Sequence, residues 1–292
     1  MNEMITSKVK TKYVMKRPNK AVFIGLYVIL VLILIFTGAT YGELTDNKEN
    51  INATNSTDQS CNVGVAYLEG DMYTYKPGYV YDQNGNEVYY QETYSDVLTE
   101  RLRALDEDDS IDAILLKVDS AGGVLASGEE VALAIGELSK PVVSYVRAQA
   151  LSSAYYAISP SEKIIVLPQS EIGGLGVTRS YVSEYRENTE KGRDYIELTS
   201  ARFKHIGSSV RSLSSEERSI IQENLDASHD LMLQEVAQYR QIEVGALSVL
   251  ADGRRYQAQD ALSSGLVDVV GSYKDVLETM ENLVGEDMAV CK

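Results

Sequence analysis

The sequence predicts an α/β domain with a largely parallel sheet flanked by helices, following one N-terminal transmembrane helix. Two observations predict the domain. From Asn62 onward, apolar runs of strand length alternate with amphipathic stretches, the pattern of βαβ units. Turns of glycine or small residues follow several of these runs, at Gly122-Gly123, Ser152-Ser153-Ala154 and Gly173-Gly174-Leu175-Gly176. Strand ends are where open α/β sheets collect ligands and reacting groups. A third observation predicts the anchor: Ala21 to Thr40 carries no charge over 20 positions, about the length needed to cross a bilayer as a helix.

Six basic residues, Lys8, Lys10, Lys12, Lys16, Arg17 and Lys20, precede this run against the single acid Glu3. Residues 1–20 therefore read as a cytoplasmic basic tail, 21–42 as a single membrane span, and the rest as extracytoplasmic. A cleaved secretory signal is the competing reading. Thr37-Gly38-Ala39 is a poor small-x-small cleavage site, and the run exceeds the usual apolar core of about 7–15 residues, which favours an uncleaved anchor in the cell membrane. Both readings leave the domain on the same side. Residues 43–61, rich in Asn, Thr, Ser and Asp without periodicity, read as a flexible linker, and the domain occupies 62–292.

With residues 1–20 set aside, 21 basic residues face 42 acidic ones. That balance argues against nucleic-acid binding, which needs basic patches to neutralise phosphates. Two cysteines (Cys61, Cys291) and two histidines (His205, His229) are too few for an ordinary structural zinc site. Spacing alone leaves open whether the cysteines pair in an oxidising compartment. The Gly173–Gly176 turn lacks the complete G-x-G-x-x-G pattern, and no P-loop lysine follows it. No cofactor is expected.

Taken in order, residues 62–70 are strand-like, and 79–90 read as a β-hairpin turning at Asn84-Gly85. The tyrosines of that ribbon suit either a binding rim or a half-buried surface, and the structural reading is preferred. Leu98, Leu102 and Leu105 at helical spacing predict a helix over 95–105. A buried strand over 111–118 runs into Asp119–Gly123. A helix near 127–138, a strand over 141–146 and a short helix after Ser152 follow. Residues 162–168 form a further strand. "SLSSEER" supplies serine caps with glutamates in the first turn, so a long helix runs from about Ser214 to Tyr239. A last helix spans about 273–283.

Chemistry enters at the strand ends. Glycine pairs there suit either backbone N–H groups aimed at a ligand, as in an oxyanion hole, or tight turns needing positive φ, and spacing alone does not choose. A nucleophilic serine needs a partner to take its proton. His229 falls among charged residues of the long helix and reads as solvated, whereas His205 lies in the loop "RFKHIG" beside Lys204. A Ser-Lys dyad needs a lysine deprived of solvent or placed near another cation. Lys204, between Phe203 and a glycine loop, is the candidate, against the plain reading of an exposed lysine.

At this point five stretches in order, "ILLKVDSAGG", "KPVVSYVRAQALSSAYYAIS", "EKIIVLPQSEIGGLGV", "TSARFKHIGSSVRSLSSEER" and "ADGRRYQAQDALSSGLVD", resemble the signal peptide peptidase A family of family S49. These are membrane-anchored serine peptidases of ClpP/crotonase-like fold. The resemblance covers roughly residues 62–275. It implies Ser152 as nucleophile, Lys204 as general base, the N–H groups of Gly123 and Ser153 as oxyanion donors, and Gly122, Gly173 and Gly174 as shapers of the site. It also implies remnant signal peptides or other short hydrophobic peptides as substrates. A homo-oligomer is expected, with active sites facing an enclosed cavity and neighbouring protomers contributing to each site. The chain departs from the family pattern at four places. Ala121 replaces a proline, Ser153-Ala154 stand where two glycines are usual, and Gly174 replaces a serine that partners the lysine. These departures motivate the alternative of a catalytically weak or inactive homologue acting as a membrane-tethered peptide-binding scaffold.

Overall fold

The computed structural model describes residues 61–76, 92–285 and 287–291. The basic tail, the apolar run, most of the linker and the hairpin expected around Asn84-Gly85 lie outside the described residues. No helix among the described residues is long and apolar enough to cross a membrane. One compact unit runs from Gln59 to Lys292.

Its centre is a mostly parallel sheet. Strands β1 (Val63–Tyr73), β2 (Glu92–Tyr94), β3 (Ala113–Gly123), β4 (Val142–Leu151), β5 (Lys163–Val166) and β8 (Val269–Val270) lie in the order β2-β1-β3-β4-β5-β8, all parallel. Strand β4 is longer than β5, which pairs only with its first half, at Val143–Val146. The second half, Gln149–Leu151, takes β6 (Glu171–Gly173) instead, and β6 pairs antiparallel with β7 (Arg255–Gln257). Leu151 is thus held deep in the sheet, and the chain must turn sharply after it.

Alternation of side chains along each strand divides the core. Ile114, Leu116 and Val118 of β3 face the larger cluster, which helices α1 (Ser95–Glu107), α2 (Leu125–Glu137), α3 (Ser153–Ile158) and α5 (Ser215–Arg240) cover through Leu98, Leu102, Val131, Ile135, Tyr155 and Val236. Ala113 and Leu115 face the other side, where α8 (Tyr273–Val284) lays down Val276 and Met280. Truncating one such fully buried residue, Leu102 for example, costs typically 2–5 kcal/mol. The short helices α4 (Tyr185–Glu190), α6 (Val244–Leu250) and α7 (Ala258–Ser263) complete the element order.

Helix α5 begins where its serine caps predict. The Glu217 N–H donates to Ser214 Oγ, and the Ser214 N–H donates to the Glu217 carboxylate, at 3.2 and 3.0 Å, a reciprocal capping box. The two strands that form the site are longer than the apolar runs suggest. Strand β3 continues through Asp119–Gly123, read from sequence as a turn, and its last residues still pair with Asp71 and Met72 across register shifts on both strands. Cys61 and Cys291 form a disulfide, beside a parallel bridge between Val63 and Val290.

Candidate active site

Ser152 sits at the turn between β4 and α3. Its backbone has φ 53° and ψ −126°, one of two non-glycine residues with positive φ among the described residues. Both sides of the turn are tied: the Ser152 N–H donates to Gly173 O at 2.8 Å, and the Tyr156 N–H donates to Ser152 O at 3.1 Å. Behind it, α3 is anchored by two buried tyrosines. Tyr155 Oη donates to Leu266 O at 2.7 Å, and burial pushes that phenol's pKa well up. Tyr156 Oη donates to Glu235 on α5, whose carboxyl burial and the nearby Glu129 charge raise. The outcome is a rigid strand–turn–helix with a half-buried serine at its apex.

The end of β3 closes against this apex. A Cβ at Gly122 would lie 2.6 Å from Leu151 O and 3.0 Å from both Ser152 Cβ and Ser153 N, so only glycine permits the approach. The Gly122 N–H is held by Ser120 Oγ at 3.0 Å, and that hydroxyl donates to Gly70 O at 2.6 Å. On the opposite side, Gly173 and Gly174 take φ of 101° and 60°. The Gly174 N–H donates to Arg254 O at 2.8 Å. A serine hydroxyl is missing there, as the sequence indicated.

The structure therefore brings Ser152, Ser153, Gly122, Gly123, Gly173 and Gly174 to one place. Ser152 opens onto a cavity of about 480 Å³ that Gly174, Gly176, Asp226, His229 and Gly253 also line. Ser153 N–H is the first amide of α3 and has no intrahelical acceptor, as at every helix start. Gly123 N–H, expected as the other oxyanion donor, is engaged: it donates to Ser153 Oγ at 2.7 Å.

Lys204 is not in this group. It is exposed and does not line the cavity holding Ser152, so the desolvated lysine expected from sequence is not formed within a single chain. The reason lies in the arm between Val177 and Ser214. Arg211 ties the arm's end to the start of α5, donating to both Glu217 oxygens at 2.6 and 2.8 Å and to Glu197 at 3.2 Å. The turn carrying Lys204 closes through that residue's N–H to Ala201 O at 3.1 Å, and its neighbours fasten it outward: Arg202 pairs with Glu216 at the start of α5, and His205 O accepts from Arg211 at 3.3 Å. Several apolar residues of the arm have nothing to cover them: Val182 is 83%, Ile196 80% and Leu198 90% exposed.

His229 reverses its sequence-based reading. It is half-buried on the cavity wall, with Nε2 buried and without a hydrogen-bond partner among the described residues. The spacing of Gln222, Leu225, Asp226 and His229, which places all four on one helical face, was the available signal. No three His, Cys, Asp or Glu side chains among the described residues are grouped to hold a metal ion.

Comparison with known proteins gives this arrangement a family. The model described as Peptidase family S49 matches residues 135–287, which include Ser152 and Lys204. "Putative protease MJ0651" of Methanocaldococcus jannaschii is 32% identical over 181 residues, covering 61% of this chain and 58% of that protein. "Putative signal peptide peptidase SppA" of Enterococcus faecium is 30% identical over 210 residues, 70% of this chain and 60% of that one. The chain thus spans about three fifths of the length of these two relatives. Among solved structures, a ClpP1 mutant from Listeria monocytogenes aligns with a TM-score of 0.48 at 12% identity, over 72% of this chain and 92% of that one. With the family model matching more than half of its residues, Ser152 among them, the chain belongs to peptidase family S49.

Proposed function

We propose that the protein is a serine endopeptidase with Ser152 as nucleophile and Lys204 as general base. Ser152 Oγ attacks a peptide carbonyl carbon as its proton passes to Lys204 Nζ. The carbonyl oxygen takes up negative charge, which the backbone amides at Ser153 and Gly123 stabilise. The C–N bond then breaks, the amine leaves with the proton from Lys204, and water hydrolyses the ester on Ser152 by the same route. The observation that carries this reading is the Ser152 backbone: a positive-φ serine at a strand-to-helix turn, opening onto a cavity beside a helix-start amide. Strained positions of this kind concentrate at functional sites, and nucleophiles on sharp strand–helix turns are a recurrent solution.

Lys204 reaches Ser152 from a second copy of the chain. Its exposed position, on an arm whose apolar residues lack cover, supports assembly into a homo-oligomer in which the arm packs on a neighbour. The substrates follow from the family resemblance and from the relative named as a signal peptide peptidase: remnant signal peptides or other short hydrophobic peptides, cut outside the cytoplasm by an enzyme anchored through residues 21–42.

Ser152→Ala and Lys204→Ala should each abolish hydrolysis of a hydrophobic peptide substrate, and mixing the two inactive variants under exchange conditions should restore part of it. Activity surviving either substitution defeats the dyad. Inactive mixtures, with exchange demonstrated, place the lysine in the same chain. A second reading, a membrane-tethered peptide-binding scaffold, is favoured by the engaged Gly123 amide. Covalent labelling of Ser152 by a fluorophosphonate, absent in Ser152→Ala, excludes it.

A further inference from the structure

Ser153 is fully buried, at 0% exposure, and its side chain is held among residues of β1, β3 and α2. There Oγ accepts the Gly123 N–H at 2.7 Å and donates toward Met72 Sδ at 3.8 Å. Gly128 on α2 closes the back of this space: a Cβ there would lie 2.5 Å from Ser153 O and 2.8 Å from Ser153 Cβ. The hydroxyl thus occupies a small compartment whose one strong donor is the Gly123 amide.

An amide carries one proton, and a proton held at 2.7 Å by a hydroxyl is not available at full strength to a second acceptor. We infer that Ser153 Oγ competes with the substrate's developing oxyanion for the Gly123 N–H, so that Ser153 is a built-in attenuator of the site. This rests on the proposed roles of Ser152 as nucleophile and of the Gly123 amide as oxyanion donor. In the resting site only the Ser153 N–H is open. As charge develops on the carbonyl oxygen, the Gly123 N–H must let go of the hydroxyl. The attenuation is therefore felt in the transition state and not in substrate binding, because oxyanion donors act where charge develops. The bond to be given up is an ordinary neutral one, with a net worth that corresponds to a factor of roughly 3–10 in rate. That is well short of the 10²–10³ lost when an oxyanion donor is removed altogether. Ser153 is thus a positioning residue acting through Gly123, and its effect is a brake.

The test uses the full chain and one probe, a fluorescent fluorophosphonate. Ser152 Oγ bonds to its phosphorus, fluoride leaves with the P–F electron pair, and the Oγ proton goes to the base. Ser153→Ala removes the hydroxyl and keeps the Cβ that packs on Gly128. It should raise the maximal labelling rate roughly 3–10-fold with the half-saturating probe concentration unchanged. Ser153→Gly, which frees the same amide, should accelerate too, and serves if the alanine variant does not fold. Met72→Leu removes the sulfur but leaves the Gly123–Ser153 bond, and should label at the wild-type rate. If wild type labels at Ser152 while neither folded Ser153 variant labels faster, the brake is disproved and the peptidase reading stands. Acceleration in Met72→Leu equal to that in Ser153→Ala also overturns it, since loosened packing then accounts for both. Absence of label on Ser152 in wild type and in both Ser153 variants defeats the nucleophile assignment and the inference with it.

Discussion

At φ 53° and ψ −126°, Ser152 occupies backbone space where a side chain costs on the order of 1–3 kcal/mol. Surrounding contacts hold it there: the N–H bond to Gly173 O, the Tyr156 N–H to its own carbonyl, and the close approach of Gly122. Glycine adopts positive φ without this penalty but brings a more mobile unfolded chain. Alanine keeps the penalty, so the two substitutions separate strain from chemistry. Ser152→Gly and Ser152→Ala should both lack activity, and Ser152→Gly should be the more stable by about 1 kcal/mol. Urea midpoints compared at equal m-values check this. An alanine variant as stable as the glycine variant shows that the turn stores no strain. The neighbouring position follows a different logic. Ser153 has ordinary helical backbone geometry, and what distinguishes it is the compartment its side chain fills, shared by Gly123, Gly128 and Met72. Residue identities alone do not reveal this, because the direction in which a buried hydroxyl turns depends on three elements distant in sequence.

Among the elements, β4–α3 and α5 were legible from sequence. An apolar run ending in small residues marks the first, and caps of serine and glutamate mark the second. What stayed hidden was short or non-local. Strand β7 is three residues long and has no periodicity of its own, so it exists only because β6 offers an edge. The extension of β3 over Asp119–Gly123 depends on pairing with Asp71 and Met72, which outweighs the turn preference of two glycines. The position of the Lys204 arm depends on ion pairs that pattern reading does not detect. Its main tie is Arg211 to Glu217, a carboxylate that is only 4% exposed. The Arg211 guanidinium, followed by the Ser214 N–H, holds its pKa down at about 2. A depressed carboxyl pKa favours the folded arm above the ordinary range near 4.5 and loses that contribution as pH falls toward 2. Amide-exchange protection over residues 197–217 should therefore fall between pH 5 and pH 2 ahead of protection in β3 and β4. In Glu217→Gln it should be low already at pH 7, with little further change. Uniform loss across arm and sheet in the wild type removes the arm as a separately titrating element.

For the whole molecule, the two ends of the domain are fastened together. Cys61 and Cys291, 230 residues apart, are joined by a disulfide. Beside it the Asn62 N–H donates to Ala289 O at 2.8 Å and the Cys291 N–H donates to Val63 O at 2.9 Å. The sequence left this pairing open because spacing carries no distance information. The fold decides it by running β1 and the C-terminal segment in parallel at the sheet's lower end. Closing so long a loop restricts the unfolded chain far more than the folded one, where the local hydrogen bonds already hold the ends. Disulfides of this kind typically contribute about 2–4 kcal/mol. Reduction, or Cys61→Ser with Cys291→Ser, should lower the urea midpoint accordingly and raise the m-value, since the unfolded chain becomes more expanded. The site should survive at low denaturant, because Ser152 and Gly123 lie at the opposite ends of the strands from the bridge. Fluorophosphonate labelling of reduced, folded protein at the oxidised rate, together with the lowered midpoint, is the expected pair of results. Equal midpoints with and without reductant show that the bridge adds nothing to the local pairing. A lost labelling rate at an unchanged midpoint shows instead that the terminal fastening and the strand ends at Ser152 are coupled through the sheet.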